Sequence, residues 1–210
     1  MHHRRRATMT VIAVVVALIA NACTVWTWGS NANGQLGNGT FGSVRVQPTA
    51  IDSLPQGSWI AVTSGYRHTC GLRMGGSLWC VGENGDGQLG IGSAEPFRTL
   101  ADLAVPGTWT SLSAGFGHTC GVRDDGTLWC WGSNVFGQLG DGTTTTRHVP
   151  VQVGEKDRWS GVSAGEGHTC AILDDGGTGG SLWCWGANYF GQLGDGTSVD
   201  RLEPAEVCLL

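Results

Sequence analysis

Two short motifs recur along this chain of 210 residues at intervals close to 50 residues. Gly-Gln-Leu-Gly occurs four times and His-Thr-Cys three times; the first motif begins at Gly34, Gly87, Gly137 and Gly191, and the second at His68, His118 and His168. Two independent motifs that keep one period indicate a repeat architecture. A period of about 50 residues marked by Trp and Gly is typical of the blades of a β-propeller.

Each repeat predicts four short antiparallel strands. In the third copy these are Trp109 to Gly115, His118 to Arg123, Leu128 to Trp131 and Pro150 to Val153, and Asp124-Asp125-Gly126 forms the turn between the second strand and the third. The chain contains 36 Gly residues and only 14% charged residues, which suits short strands joined by tight turns. The predicted fold class is therefore all-β, a propeller of four-stranded blades.

The repeats contain unequal numbers of half-blades. Four second halves begin near Val25, Leu78, Leu128 and Leu182, whereas three first halves begin near Trp59, Trp109 and Trp159. This count predicts about three and a half blades in an incomplete ring, whose open edges would favour self-association. The expected organisation is a leader over 1–22 and a repeat region over 23–210, divided at about 25–58, 59–108, 109–158 and 159–210.

The amino terminus has the pattern of a secretory signal peptide. Arg4, Arg5 and Arg6 precede an unbroken apolar run from Val11 to Ala20. Ten apolar residues are too few to span a bilayer, which needs roughly 20 in a helix. The small-residue triplet Ala20-Asn21-Ala22 fits a cleavage site, so we expect residues 1–22 to be removed on export.

Cys23 follows this triplet directly and resembles the acylated cysteine of bacterial lipoproteins. Lipidation would hold the protein at the bacterial cell envelope, with Cys23 as its only membrane contact. Plain cleavage would release it instead, because Ala20 and Asn21 depart from the usual lipoprotein residues. Both alternatives place the chain outside the cytoplasm.

The charge of the exported chain argues against a nucleic-acid partner. Residues 1–22 hold three of the 12 basic residues and none of the 17 acidic ones. The remaining chain has nine basic and 17 acidic residues, and therefore a net charge of −8. Nucleic-acid binders are usually basic and cluster their Lys and Arg residues. The remaining sequence has no such cluster.

Four motifs occur in a fixed order in the third copy: Gly117-His118-Thr119, Asp125-Gly126, Trp131-Gly132-Ser133-Asn134 and Gly137-Gln138-Leu139-Gly140. In this order they resemble the regulator of chromosome condensation (RCC1-type) repeat family, from residue 25 to about 207. The resemblance implies blades of a seven-bladed propeller. The family's best-known activity is guanine-nucleotide exchange on the nuclear GTPase Ran, and another member is a secreted bacterial inhibitor of β-lactamases. Both act by binding a protein on a propeller face.

The predicted hairpins bring cysteines together in pairs. Arg123 faces Thr127 across the turn, and counting back three residues on each strand places Cys120 opposite Cys130. Directly opposed residues lie close enough for a disulfide, and an exported protein meets oxidising conditions. The same count gives the other two predicted disulfides, Cys70 with Cys80 and Cys170 with Cys184.

A metal site built from His118, Cys120 and Cys130 is the competing interpretation of these cysteines. It is disfavoured because the Cys-x-x-Cys spacing of common zinc sites is absent and no fourth ligand recurs with the period. Cys23 and Cys208 lie outside the pattern. They either pair with each other, or Cys23 is lipidated and Cys208 is free.

The sequence predicts no catalytic residue, cofactor or metal. Gly85 to Gly90 matches a dinucleotide fingerprint and Gly161 to Gly165 a nucleophile elbow, but neither leads into a helix. A group repeated in every blade is expected to be structural. This applies to the recurrent histidines and glutamines, namely His68, His118 and His168 with Gln35, Gln88, Gln138 and Gln192.

Three functions therefore remain, in order of preference. The first is a non-enzymatic extracellular or cell-surface module that presents loops to a protein or glycan. The second is a regulator like the family's exchange factors, and the third is a propeller-fold lyase or glycosidase. The loops that differ most between copies are the expected carriers of specificity: Phe41 to Val46, Ser93 to Thr99 and Thr143 to His148.

Overall fold

The structure is a computed structural model that describes residues 25–51, 59–95, 97–102, 107–155, 157–177 and 179–207. The predicted signal peptide, Cys23 and Cys208 lie outside these residues. Every regular element in the described ranges is a β-strand, and no helix in them is long and apolar enough to cross a membrane.

Within the described residues, the strands form one two-stranded sheet and three four-stranded sheets, all antiparallel. In sheet order these are β1-β2, β3-β4-β5-β6, β7-β8-β9-β10 and β11-β12-β13-β14. The strands are β1 Trp26–Gly29, β2 Arg45–Ala50, β3 Trp59–Ser64, β4 His68–Arg73, β5 Leu78–Glu83, β6 Phe97–Asp102, β7 Trp109–Ala114, β8 His118–Arg123, β9 Leu128–Gly132, β10 Arg147–Gln152, β11 Trp159–Ala164, β12 His168–Asp174, β13 Gly180–Gly186 and β14 Arg201–Glu206.

The fold class is the predicted one, with three complete blades and one half-blade. Each complete blade begins with a strand that starts at Trp and continues with the His-Thr-Cys strand. The half-blade, β1-β2, has the two strands of a second half. In the described ranges, hydrogen-bonded strand pairing stays within the blades, so β1-β2 and β11–β14 do not close a ring together.

The fourth strand is longer than the sequence predicted. In the third repeat it begins at Arg147, three residues before the predicted start at Pro150. The register shifts between Arg147 and Val151, and Pro150 lies within this irregular segment. Proline has no N–H to donate, and an edge strand with a bulge is where a sheet accepts it. The sequence pattern therefore indicated only the regular end of the strand.

The first strands of the blades are neighbours in space, β3 beside β7 and β7 beside β11, so they form the inner side of the arc. The loops between first and second strands, and those between third and fourth strands, lie at the same end of the blades. We call this end the top face. The opposite end, which carries turns such as Asp124-Asp125-Gly126, is the bottom face.

Neighbouring blades pack through tryptophans that reach across the gap. The Trp131 indole Nε1 donates to the main-chain oxygen of Gln88 at 2.9 Å, and Trp185 does the same to Gln138. Gly90 makes this packing possible, because a Cβ there would lie 2.7 Å from the Trp131 ring, and its φ of +71° suits glycine. Both tryptophans are fully buried. In the described residues, the buried apolar side chains form a separate cluster between each pair of neighbouring blades.

Candidate functional site

Two of the three recurrent histidines, His68 and His118, are buried and join neighbouring blades. The Nε2 atom of His68 is 2.9 Å from the Thr119 hydroxyl, and that hydroxyl donates to the main-chain oxygen of Gln88. His118 contacts Thr169 in the same way. Since the threonine hydroxyl donates its hydrogen to the main-chain oxygen of the glutamine, it can only accept from the histidine. The histidine Nε2–H is therefore the donor in the bond between the two side chains. The partner of each of these two histidines is therefore a threonine of the next blade.

Burial keeps these histidines neutral. Loss of hydration lowers the pKa of His68 to about 4, and lowers that of His118 to about 3 with help from the neighbouring histidines. His168 is only half-buried, and burial lowers its pKa too. A buried neutral imidazole whose Nε2 is already bonded has no open path to a substrate. This geometry suits a structural role.

Each Gly-Gln-Leu-Gly loop is held by its glutamine and by a buried asparagine. In the third repeat, Gln138 Oε1 accepts from the main-chain N–H of Phe136 at 2.9 Å. Asn134 Oδ1 accepts from the Leu139 N–H, while its Nδ2 donates to the Thr143 oxygen. The asparagines were not among the predicted structural residues, although one lies three residues before every copy of the motif: Asn31, Asn84, Asn134 and Asn188.

The rigid loops expose aromatic side chains on the top face. The two residues after each asparagine differ between copies, and all of them except the half-buried Asn33 are exposed. In the third repeat they are Val135 and Phe136, 61% and 47% exposed, and in the fourth they are Tyr189 and Phe190, 80% and 86% exposed. The asparagine and the glutamine thus fix the loops, while the residues at the loop tips differ between copies.

A second row of variable residues lies nearer the propeller axis, in the loops between first and second strands. The equivalent positions there are Tyr66, Phe116 and Glu166. The rings of Tyr66 and Phe116 stack, with centroids 4.1 Å apart and planes 10° from parallel. The Arg67 guanidinium lies 4.8 Å from the Tyr66 ring centre and 3.5 Å from a Glu83 oxygen.

Two concavities open on the top face, and Glu166 borders both. The axial concavity, about 460 Å³, is lined by the inner loops around Tyr66 and Phe116. The lateral concavity, about 570 Å³, is lined by Phe136, Phe190, His168 and Asp200, among others. Sequence reasoning missed these residues as a site. Their signal was available, because they occupy the variable positions inside otherwise constant motifs.

The loops that were expected to carry specificity lie at the same end of the blades. Phe41, Val44 and Val46 are 49%, 67% and 86% exposed, whereas in the 143–148 loop Thr144 and Thr145 are exposed and the other residues are half-buried. Of the 93–99 loop, residue 96 lies outside the described residues. The top face therefore brings together three sets of variable loops.

Ion pairs stabilise the outer loops of the last two blades. Arg147 donates to Asp141 at 2.8 Å, and Arg201 to Asp195 at 2.7 Å. Burial alone would raise the pKa of Asp141, but the hydrogen bonds from Thr143 and Arg147 outweigh it and lower the pKa. These carboxylates hold loop shape and are not available to a ligand.

Three disulfides cross the hairpins in the part of the chain that the structure describes. The register places each pair of cysteines directly opposite, with Cα atoms 4.1 Å apart: Cys70–Cys80, Cys120–Cys130 and Cys170–Cys184. This leaves no thiolate for the competing metal site at His118. Among the described residues, no group of three His, Cys, Asp or Glu side chains is placed to hold a metal ion. Ser163, from the nucleophile-like string, lies on strand β11.

Comparison with known proteins agrees with the fold. Solved structures with the same fold include human WBSCR16, with a TM-score of 0.76 and 22% identity, and yeast Prp20p, with a TM-score of 0.74 and 20% identity. These alignments cover 90% and 89% of this chain, and 49% and 46% of the other chains.

Curated relatives match shorter segments. A protein RCC2 homolog from Xenopus laevis is 41% identical over 69 residues, and the secretion-regulating guanine nucleotide exchange factor of Mus musculus is 36% identical over 77 residues. The segments cover 33% and 37% of this chain but only 13% and 17% of the relatives.

Profiles of the regulator of chromosome condensation (RCC1) repeat match most of the chain. One matches residues 24–72, 125–172 and 179–210, and a second matches residues 59–88, 109–138 and 159–192. Together with the four-stranded blades, these matches decide the family. The chain belongs to the regulator of chromosome condensation (RCC1) repeat family.

Proposed function

We propose that this chain is a non-enzymatic binding module whose top face contacts a protein partner. The observation that carries the proposal is the concentration of exposed aromatic side chains on that face: Phe116, Phe136, Tyr189 and Phe190. Large apolar side chains exposed together are typical of binding surfaces, and aromatic residues are enriched in protein interfaces.

The rigidity of the scaffold supports the same proposal. The tips that carry Phe136 and Phe190 are fixed by hydrogen bonds from their own main chain to Gln138 and Gln192. A preorganised surface loses little conformational entropy when a partner binds. Yeast Prp20p, which has the same fold, has binding properties towards Gsp1p and histones, so a related propeller also has protein partners.

We further propose that the module acts outside the cytoplasm, after removal of residues 1–22 and either lipidation at Cys23 or release. The three hairpin disulfides support this location, since disulfides persist in oxidising compartments. The bacterial envelope remains the proposed place of action for the lipidated form.

Affinity capture with matched variants tests the binding proposal. The oxidised protein is immobilised and exposed to envelope and culture-medium fractions of the cells that make it. A Tyr189→Ser/Phe190→Ser variant should lose a partner that the unchanged protein retains. Met74→Ser is the control, because Met74 is 70% exposed but lies on the bottom face. Equal capture by all three proteins would contradict the proposal.

Nucleotide exchange is the second candidate function. It is favoured by the likeness to the secretion-regulating guanine nucleotide exchange factor of Mus musculus. The release of a fluorescent guanosine diphosphate from Ran, with and without the chain, separates the two candidates. We expect no acceleration; an acceleration that depends on top-face residues would favour the regulator. A lyase or glycosidase gains no comparable support, because Asp200 beside the lateral concavity already accepts from the Asn188 N–H.

A further inference from the structure

The chain contains its own example of cation binding on the top face. Phe116 covers one face of the Tyr66 ring at a centroid distance of 4.1 Å. The Arg67 guanidinium, 4.8 Å from the same ring centre, therefore uses the other face. Arg67, Tyr66 and Phe116 form a short ladder in which an arginine covers one end. Such stacking is the usual geometry of a cation–π contact.

Among the described residues, no arginine covers the opposite end of the ladder. The Tyr66 N–H donates to the Gly115 oxygen at 3.2 Å, and the Phe116 N–H donates to the Gly165 oxygen at the same distance. This repeated backbone link carries the third inner loop to the far side of Phe116. The residue there is Glu166, an exposed carboxylate at the position where the previous two repeats have a ring. Phe116 itself is 47% exposed.

We propose that the uncovered face of Phe116 and the Glu166 carboxylate together bind an arginine side chain of the protein partner. This inference rests on the proposed function and names the chemistry of its partner. A planar guanidinium can stack on the ring while its N–H groups donate in pairs to the carboxylate. A lysine ammonium can satisfy only part of this geometry, because it is a compact point charge.

The surrounding charge favours a cation over an anion. Within the described residues Glu166 forms no ion pair, whereas the charge of Arg67 is offset by Glu83. Asp200 adds a second carboxylate beside the lateral concavity that Glu166 borders. The aromatic walls of that concavity, Phe136 and Phe190, are suited to an apolar residue next to the arginine in the partner's sequence.

Peptide selection tests this proposal with synthetic ligands in place of the natural partner. Random dodecapeptides displayed on phage are selected on the oxidised, full-length chain, and peptides that lose binding to the Tyr189→Ser/Phe190→Ser variant are synthesised. Each is compared with a version in which citrulline, which is uncharged but similar in shape, replaces every arginine. We expect arginine to be enriched and the citrulline versions to bind about tenfold more weakly.

Substitution on the protein side completes the test. Glu166→Gln should weaken the arginine peptides about fivefold and leave the citrulline peptides unchanged. Glu155→Gln is the control, because Glu155 is exposed at the other end of the blades. Selected peptides that bind the top face but ignore both changes would overturn the arginine site and leave the binding function standing. If no selected peptide depends on the top face, both proposals fail.

Discussion

The Nε2 atom of His118 lies 2.9 Å from the hydroxyl oxygen of Thr169, which is 51 residues further along the chain and belongs to the next blade. His68 and Thr119 repeat the contact one blade earlier, also 51 residues apart. Each bond ends on a threonine hydroxyl that donates onward to a main-chain oxygen of the histidine's own blade, Gln88 or Gln138. The histidines therefore fix how successive blades pack.

This arrangement predicts acid-sensitive stability. Unfolded histidine takes up a proton near its ordinary pKa of 6.5, but in the folded chain burial lowers the pKa of His68 to about 4 and that of His118 to about 3. The unfolded state therefore binds more protons, and stability falls as the pH drops from 6.5 towards 4. The loss should be roughly 2 kcal/mol per histidine at pH 5.

Urea unfolding at a series of pH values from 7.5 down to 5 measures this effect. His118→Asn, which cannot titrate, should lower stability at pH 7.5 but show about half the pH dependence of the unchanged chain. A free energy of unfolding that stays constant over this range would contradict the buried, neutral state of these histidines.

A packing defect between the half-blade and the first complete blade gives a second prediction. Val81 occupies the position of Trp131 and Trp185, and a cavity of about 30 Å³ remains beside it, lined by Leu36, Ile51 and other apolar side chains. Val81→Ile adds one methylene to this space. It should stabilise the fold by up to about 0.8 kcal/mol, measured by urea unfolding.

Two further substitutions serve as comparisons for the cavity. Val199→Ile adds the same methylene at a side chain that is 63% exposed, so it should have no effect. Trp131→Val creates at a filled position the defect that Val81 has, and should cost about 3 kcal/mol. The interpretation is wrong if Val81→Ile destabilises the chain, or if Val81→Ile and Val199→Ile change the free energy of unfolding by the same amount.

The disulfides should differ in how easily they are reduced. Cys70, Cys80, Cys120 and Cys130 are fully buried, whereas Cys170 is only half-buried and borders a surface concavity. Thiol–disulfide exchange requires access to a sulfur atom. With graded dithiothreitol followed by alkylation and peptide mass mapping, the Cys170–Cys184 bond should open first. Earlier reduction of the Cys120–Cys130 bond, or a cross-hairpin pairing, would count against this account.

Processing of the amino terminus is a separate prediction from the sequence. The apolar run and the Ala20-Asn21-Ala22 triplet predict that export removes residues 1–22. Intact mass measurement should find Cys23 as the first residue, either with a diacylglycerol adduct in the membrane fraction or unmodified in the medium. Full-length chain beginning at Met1 in the cytosol would exclude both routes.

Much of the fold could be predicted because it is encoded by local patterns. The numbers of Gly-Gln-Leu-Gly and His-Thr-Cys copies give the number of blades and half-blades. The Asp125-Gly126 turn fixes the register that places Cys120 opposite Cys130. Side chains alternate between the two faces of a strand, so moving the turn by one residue would place every side chain on the wrong face. The position of the turn therefore determines the register. The irregular start of strand β10 was missed, because a bulge obeys no such alternation.

Contacts between blades could not be predicted in the same way. The three His-Thr-Cys motifs show that each complete blade has a histidine and a threonine, but not that His118 reaches the threonine of the following blade. The exposed aromatic residues of the top face were missed for a different reason. Phe116 and Phe136 are separated by 20 residues and lie at variable positions, so only the arrangement of the blades brings their surfaces onto one face.

Hydrogen–deuterium exchange of the chain alone and with its captured partner tests the central claim most directly. The top face and the bottom face are carried by different short peptides of every blade, so a binding footprint can be assigned to one of them. We predict that the partner slows exchange in residues 64–67, 114–117, 134–138 and 188–192. Slower exchange confined to the bottom turns at 73–77, 123–127 and 174–177 would contradict the account.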